Sequence, residues 1–254
     1  MPHTLCASLK QALQGRGFFL AFLGAALVVL LAAFEGFLGG FRSEQLLAYG
    51  YHHSLILSAL SSEGMALALP ILCALPYTAA FLDDVKSGFI KAYLPRTTVD
   101  GYIMSRALAC AASGGLALSL GILTAYGIAA LLLLPLEAMR DYMLEPPGYF
   151  RQLLETLVMF FASGAFWALV GLTFATLTNS RYMAYASPFV LFYLLVILYE
   201  RYFDKLYILY PREWLNPSDR WVFGRIGVAV LLLELCALMA LLFAWAAKRR
   251  LRQT

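Results

Sequence analysis

The chain has 254 residues, of which 62% are hydrophobic and only 13% charged, with a formal net charge of +4. Soluble globular chains run at roughly 45–50% apolar and about 25% charged residues, and a single soluble core cannot hide the excess. Composition therefore excludes a soluble enzyme, a disordered chain and a nucleic-acid-binding domain, and leaves an all-α, polytopic membrane protein whose surroundings are the lipid bilayer; a mean hydropathy of +0.75 agrees.

A helix rises 1.5 Å per residue, so crossing a hydrocarbon core of about 30 Å takes about 20 apolar residues. Six segments qualify, at about 18–40, 63–82, 107–134, 157–178, 182–199 and 226–247. Ahead of the first, Leu5, Leu9, Ala12 and Leu13 recur at helical spacing between Lys10 and Arg16. That pattern predicts an amphipathic helix lying on the membrane surface over residues 1–16. The first apolar run outlasts the 7–15-residue core of a cleaved signal peptide, and is read as a span. Glu35 falls near its outer end, within reach of water, and Gly36 and Gly40 permit a close helix approach there. Residues 41–62 are expected as an external loop.

The second segment carries Pro70 and Pro76. Prolines inside spans imply kinks whose freed carbonyls must find partners within the protein. The stretch that follows is the most informative of the chain. Asp83 and Asp84 suit a helix N-terminus, and Pro95 suits a stop. Between them Phe89, Ile90, Tyr93 and Leu94 fall on one side of a helix, with Lys86 and Lys91 elsewhere. An apolar stripe on a helix outside the membrane requires a partner.

The third and fourth segments are joined by an external loop at 135–156, the fourth and fifth by little more than Asn179-Ser180-Arg181. The fifth carries Pro188 and is aromatic, with Tyr185, Phe189, Phe192, Tyr193 and Tyr199. Residues 200–225 mix aromatics and charges with Pro211 and Pro217, which predicts short helices at the membrane interface. Glu234 sits in the middle of the sixth segment, where a lone acid costs a few kcal/mol unless paired or protonated. A packing hydrogen bond to a Ser, Thr or Tyr of a neighbouring span is the favoured reading, a substrate or proton site the other.

Lysine and arginine set the orientation. With both termini inside, the inner face holds Lys10, Arg16, Lys86, Lys91, Arg96, Arg106, Arg181, Lys248, Arg249, Arg250 and Arg252, against Asp83, Asp84 and Asp100. The expectation is a single 1–254 transmembrane domain with cytoplasmic termini. Cys6, Cys73, Cys110 and Cys236 form no C-x-x-C pair, and His3, His52 and His53 are too few for a metal relay. They read as buried thiols and ordinary histidines, with no metal expected.

The loop from Asp83 to Arg106 resembles the first cytosolic loop of ABC transporter permeases of the type-2 exporter superfamily. There an acid, a glycine, a Leu-rich turn, Pro-x-Ser/Thr-Arg and a basic residue lead into the third span. Asp83 and Asp84, Gly88, Leu94, Pro95 to Thr98 and Arg106 stand in those places, although Arg96 precedes Thr97 where the family's basic residue follows. The resemblance implies a permease that works as a homodimer, or with a paralogous permease, in the plasma (bacterial inner) membrane. It implies a coupling helix over Asp83 to Leu94, including Lys86, Ser87, Gly88, Phe89, Ile90 and Tyr93, with Arg96 behind it. This helix would sit in a groove of a separate cytosolic P-loop ATPase. Asn179 and Arg181 would make a minor contact. ATP and magnesium would be bound by that partner, and no cofactor by this chain. Tyr185, Phe189, Phe192 and Tyr193 would line a path suited to an apolar or amphipathic substrate, a peptide or drug above others.

No G-x-x-x-x-G-K-[ST] occurs, so this sequence lacks the motif that cradles ATP phosphates. Two other classes compete. Ala162-Ser163-Gly164 is similar to the serine segment of rhomboid proteases, but the sixth segment offers no histidine as base, and H-E-x-x-H is absent. A passive channel or ion-coupled carrier is opposed by the scarcity of intramembrane charge and of any inverted repeat.

Overall fold

The computed structural model describes residues 2–90, 98–138, 148–203, 206–218, 220–221 and 223–252. Among them the regular structure is helical, apart from one isolated parallel bridge between Leu47 and Glu137. The helices are α1 (Pro2–Gln14), α2 (Arg16–Ala32), α3 (Phe34–Arg42), α4 (Tyr51–Leu60), α5 (Glu63–Ala74), α6 (Ala80–Lys86), α7 (Val99–Leu133), α8 (Tyr149–Thr178), α9 (Arg181–Arg201) and α10 (Gly224–Leu251). Four of them, α7 to α10, are long and apolar enough to cross a membrane, and the number rises to six if two bent pairs each count as one span.

Burial ranks the long helices. In its most apolar stretch α8 is 72% buried, against 39% for α7, 28% for α9 and 22% for α10. The bundle is therefore built around α8, whose Trp167, Ala168, Leu169 and Val170 are inaccessible. Glycines let its neighbours approach. A Cβ on Gly115 of α7 would stand 2.6 Å from the carbonyl oxygen of Phe161, and one on Gly114 2.6 Å from the Cβ of Ala168. Small residues at such crossings allow backbones to meet where lipid provides no hydrophobic drive. On the other side of α8, Pro188 lacks the N–H that would bond the Ala184 carbonyl one turn earlier. That carbonyl lies against Gly171, where a Cβ would approach it to 2.5 Å.

Local signals explain the ends of these helices. Ser62 caps α5 by accepting from the Met65 N–H at 3.2 Å. Thr98 caps α7 by accepting from Gly101 at 3.3 Å. Asn179 closes α8 in the left-handed conformation, φ 58°, which asparagine tolerates better than most residues. The chain then turns into α9 at Arg181, as the short Asn179-Ser180-Arg181 joint predicts.

Three expectations change. The first apolar segment is divided by a turn at Ala33 into α2 and α3. The second, expected as one helix to residue 82, stops at Ala74. Turns at 75–79 around Pro76 separate it from α6. Residues 41–62, expected as a loop, contain α4, which bears the buried His52 and His53 and meets α5 at an angle of 67°. Pairing α4 with α5 makes a broken span or a re-entrant loop.

The segment expected as a surface helix forms the α-helix α1, bent 54° from α2. It packs on the foot of α7, with Ala12 fully buried. Between α9 and α10 the described residues form a 3-10 turn at Tyr207–Leu209 and further turns, where short interfacial helices were expected. Trp214 pins it to the bundle: the ring is 1% exposed, stacks on Trp167 at 6.0 Å, and donates its indole N–H to the Ile208 carbonyl at 2.8 Å.

Candidate functional site

One end of the bundle, called basal here, gathers α1, α6, the starts of α7 and α9 and the ends of α8 and α10. Its centre is Arg106, about two turns into α7 and 5% exposed. The guanidinium pairs with the Asp84 carboxylate and donates to the Gln11 amide oxygen at 2.8 Å. It lies over the rings of Tyr77 and Tyr102, at 5.4 and 5.2 Å from their centroids. Tyr102 donates its hydroxyl proton to Asp84 at 2.5 Å, and Tyr77 donates to Gln11 at 3.0 Å. A buried charge is tolerated only when paired and hydrogen-bonded, and this arrangement supplies both. It fastens α1, the turn after α5, α6 and α7 to one another.

The neighbouring acid reaches the other way. Asp83 accepts from Arg181 at 2.6 Å, joining α6 to the joint between α8 and α9. Lys248 of α10 pairs with Asp100 of α7 at 2.7 Å, and Arg250 donates to the Thr176 carbonyl at 2.7 Å, near the C-terminus of α8. A cation there is favoured by the helix dipole.

The continuous helix expected from Asp83 to Leu94 is broken. Its first part begins at Ala80, so the two acids stand within α6 rather than at its start. α6 ends at Lys86 because Gly88 adopts φ +73°. Lys86, Ser87, Gly88 and Phe89 are exposed, Phe89 by 46%, while Ile90 is 4% exposed and packs on the core. Lys91, Tyr93, Leu94 and Arg96 lie outside the described residues. Asn179 is exposed at the α8 terminus.

The aromatic residues of α9 divide. Tyr185 is 40% exposed. Phe189 and Tyr193 are half-buried with rings 4.8 Å apart. Phe192 is fully buried against Trp167 at 5.5 Å, inside the core of the single chain. Glu234 faces out of α10 beside the exposed Leu233 and Leu238, without a hydrogen bond or ion pair among the described residues. The expected packing bond to a neighbouring span is therefore not found among the described residues. Glu35 is exposed on α3. Ser163 is buried, and its hydroxyl meets no partner among the described residues.

The far end of the bundle holds two assemblies that sequence reasoning missed. In the first, Glu137 accepts from the His52 backbone N–H at 2.7 Å, from His52 Nδ1 at 2.7 Å and from the Gly50 N–H at 3.0 Å. Burial pushes its carboxyl up, but those donors outweigh it and hold Glu137 below the usual carboxylate range. His52 Nε2 meets the Tyr126 hydroxyl at 3.2 Å, and His53 stacks on Tyr149 at 4.6 Å. The only signal in the sequence was two adjacent histidines after a glycine. The second assembly is a cavity of about 360 Å³ whose lining includes Glu63, Gln152, Arg212 and Arg225. Among the described residues no three of His, Cys, Asp and Glu stand close enough to hold a metal ion.

Compared with known proteins, the chain matches no family model and no curated protein. The functional reading rests on the geometry above and on the resemblance of the Asp83 to Arg106 loop.

Proposed function

We propose that this chain is the permease subunit of an ATP-driven exporter of the ABC type-2 class. It would work as a pair, with its termini and basal end in the cytoplasm and a separate P-loop ATPase seated on that end. The observation that carries the reading is the divergent grip of two adjacent acids. Asp84 holds Arg106 at the foot of α7, while Asp83 holds Arg181 at the foot of α9. A force applied to the exposed Lys86–Phe89 stretch would pass through the first contact to α7 and through the second to the α8–α9 joint. That is the mechanical requirement on a coupling segment: it must be exposed to the motor and fastened to more than one span. The basic tail is fastened as well, through Lys248 and Arg250, so the basal end can move as one piece. The path itself would run beside the aromatic face of α9 and suit a hydrophobic or amphipathic substrate, a peptide or drug.

Purification in mild detergent from the native host tests this directly. A P-loop ATPase recovered in stoichiometric amount is the expected result; its absence even after gentle cross-linking would overturn the reading. Gly88→Arg and Phe89→Asp should leave the permease folded in membranes but uncouple ATP hydrolysis from transport.

A further inference from the structure

The cavity at the far end of the bundle lies away from the basal contacts and plays no part in the coupling just described. Its walls come from the elbow between α4 and α5 (Ser61, Glu63), the first turns of α8 (Gln152), the folded loop before α10 (Tyr210, Arg212) and the first turn of α10 (Arg225). At about 360 Å³ it falls in the lower range of small-molecule sites, roughly 300–1,000 Å³.

Its charges are not all equally available. Arg225 is committed to Glu155 at 2.6 Å, and Glu213 accepts the Ser218 N–H at 2.9 Å. Arg212 and Glu63 remain. They open on the same cavity with opposite charge, yet among the described residues no ion pair joins them to each other or to a third residue. Arg212 Nε is shut off from water with no acceptor. The guanidinium also shares a side-chain hydrogen bond with Tyr210, and the part of it that lines the cavity is what a bound anion would meet, through charge-assisted hydrogen bonds. Two opposite charges held apart in one hollow are complementary to a molecule that carries both.

We propose that this cavity binds a zwitterion. Its anionic group, a carboxylate or a phosphate, accepts from Arg212; its ammonium group faces Glu63; and the carbons between them rest on Leu60 and Phe160. A peptide with free termini and an aminophospholipid headgroup share this chemistry. The proposal stands independently of the ATPase.

Calorimetric titration of the purified protein in detergent tests it. The zwitterionic probes are glycyl-leucine and glycerophosphoethanolamine; the singly charged ones are inorganic phosphate, acetate and ethanolamine. The expected result is binding of at least one zwitterion about tenfold tighter than any singly charged probe, the scale of one hydrogen bond to a charged group. The zwitterion that binds identifies the source, peptide or lipid. Arg212→Gln and Glu63→Gln should each lose about tenfold, with unchanged melting in the absence of probe, while Arg212→Lys retains most of the affinity. Phosphate binding as tightly as either zwitterion, indifference to Glu63→Gln, or no zwitterion binding at millimolar concentration would each overturn the proposal. Purification with or without an ATPase bears on neither outcome.

Discussion

Asp83 and Arg181 meet at 2.6 Å across 98 residues of chain, and both side chains remain about half exposed, 46% and 59%. An exposed pair of this kind contributes about 0–1 kcal/mol to stability, so its importance, if the permease reading holds, is mechanical. Asp83→Arg should therefore lower the melting temperature little, yet impair ATP-driven transport in proteoliposomes. Adding Arg181→Asp, which restores the pair with its charges exchanged, should recover transport. Normal transport by Asp83→Arg alone would remove the pair from the coupling path.

The contact made by the next residue is of another kind. Asp84 and Arg106 have side chains 13% and 6% exposed. Removing one partner of a buried pair leaves an uncompensated charge and costs about 3–5 kcal/mol. Arg106→Leu and Asp84→Ala should each reduce the yield of folded protein and lower the melting temperature sharply. The double variant should be less damaged than the sum of the two, because neither charge is then stranded. Strictly additive losses in a double-mutant cycle would show that the network, and not the pair, holds α6 to α7.

The contrast between these two aspartates marks what could be read in advance. Length and hydropathy were enough for α7 to α10, because a long apolar run has few other destinations. The Asn179-Ser180-Arg181 turn and the Ala184 carbonyl left free by Pro188 were legible because a single residue type carries each. The break at Gly88 was not: a helical stripe shows spacing, and a positive φ leaves no mark on spacing. Helix α4 was hidden because its ten residues are polar at the start and too short to stand out. Groups brought together from far apart in sequence, such as His52 and Glu137 in one hydrogen-bonded pair or Arg212 and Glu63 on the walls of one cavity, follow only from the packing. So does the choice of crossing point. The spacing of Gly36 and Gly40 drew attention to the first segment, while the closest helix approach among α7 and α8 uses Gly114, Gly115 and Gly164.

That crossing yields a pair of substitutions with opposite signs. A Cβ at Gly115 meets the Phe161 backbone carbonyl at 2.6 Å, whereas one at Gly39 in α3 meets nothing within 4 Å. Gly115→Ala should force α7 and α8 apart and destabilise by about 1–3 kcal/mol, the usual cost of overpacking. Gly39→Ala should be neutral or stabilising by up to about 1 kcal/mol through helix propensity. Melting of the purified variants in the same detergent separates the two; equal shifts would mean that α7 and α8 do not meet at Gly115.

The last prediction concerns acid. Glu137 bridges the start of α4 to the end of α7 by accepting from His52 and Gly50, and these donors hold its carboxyl below the ordinary glutamate value of about 4.3. A depressed carboxylate means that the unfolded chain takes up a proton before the folded one does. The stabilisation is then complete above about pH 4.3 and is lost as pH falls through the lower, folded value. Glu137→Gln replaces one acceptor oxygen by an N–H₂ group facing other donors, at a cost of about 1–3 kcal/mol. The melting-temperature gap between wild type and Glu137→Gln should not narrow between about pH 8 and pH 5, and should narrow below about pH 4.3. A gap that closes already near neutral pH would overturn the assignment of this clamp to the carboxylate.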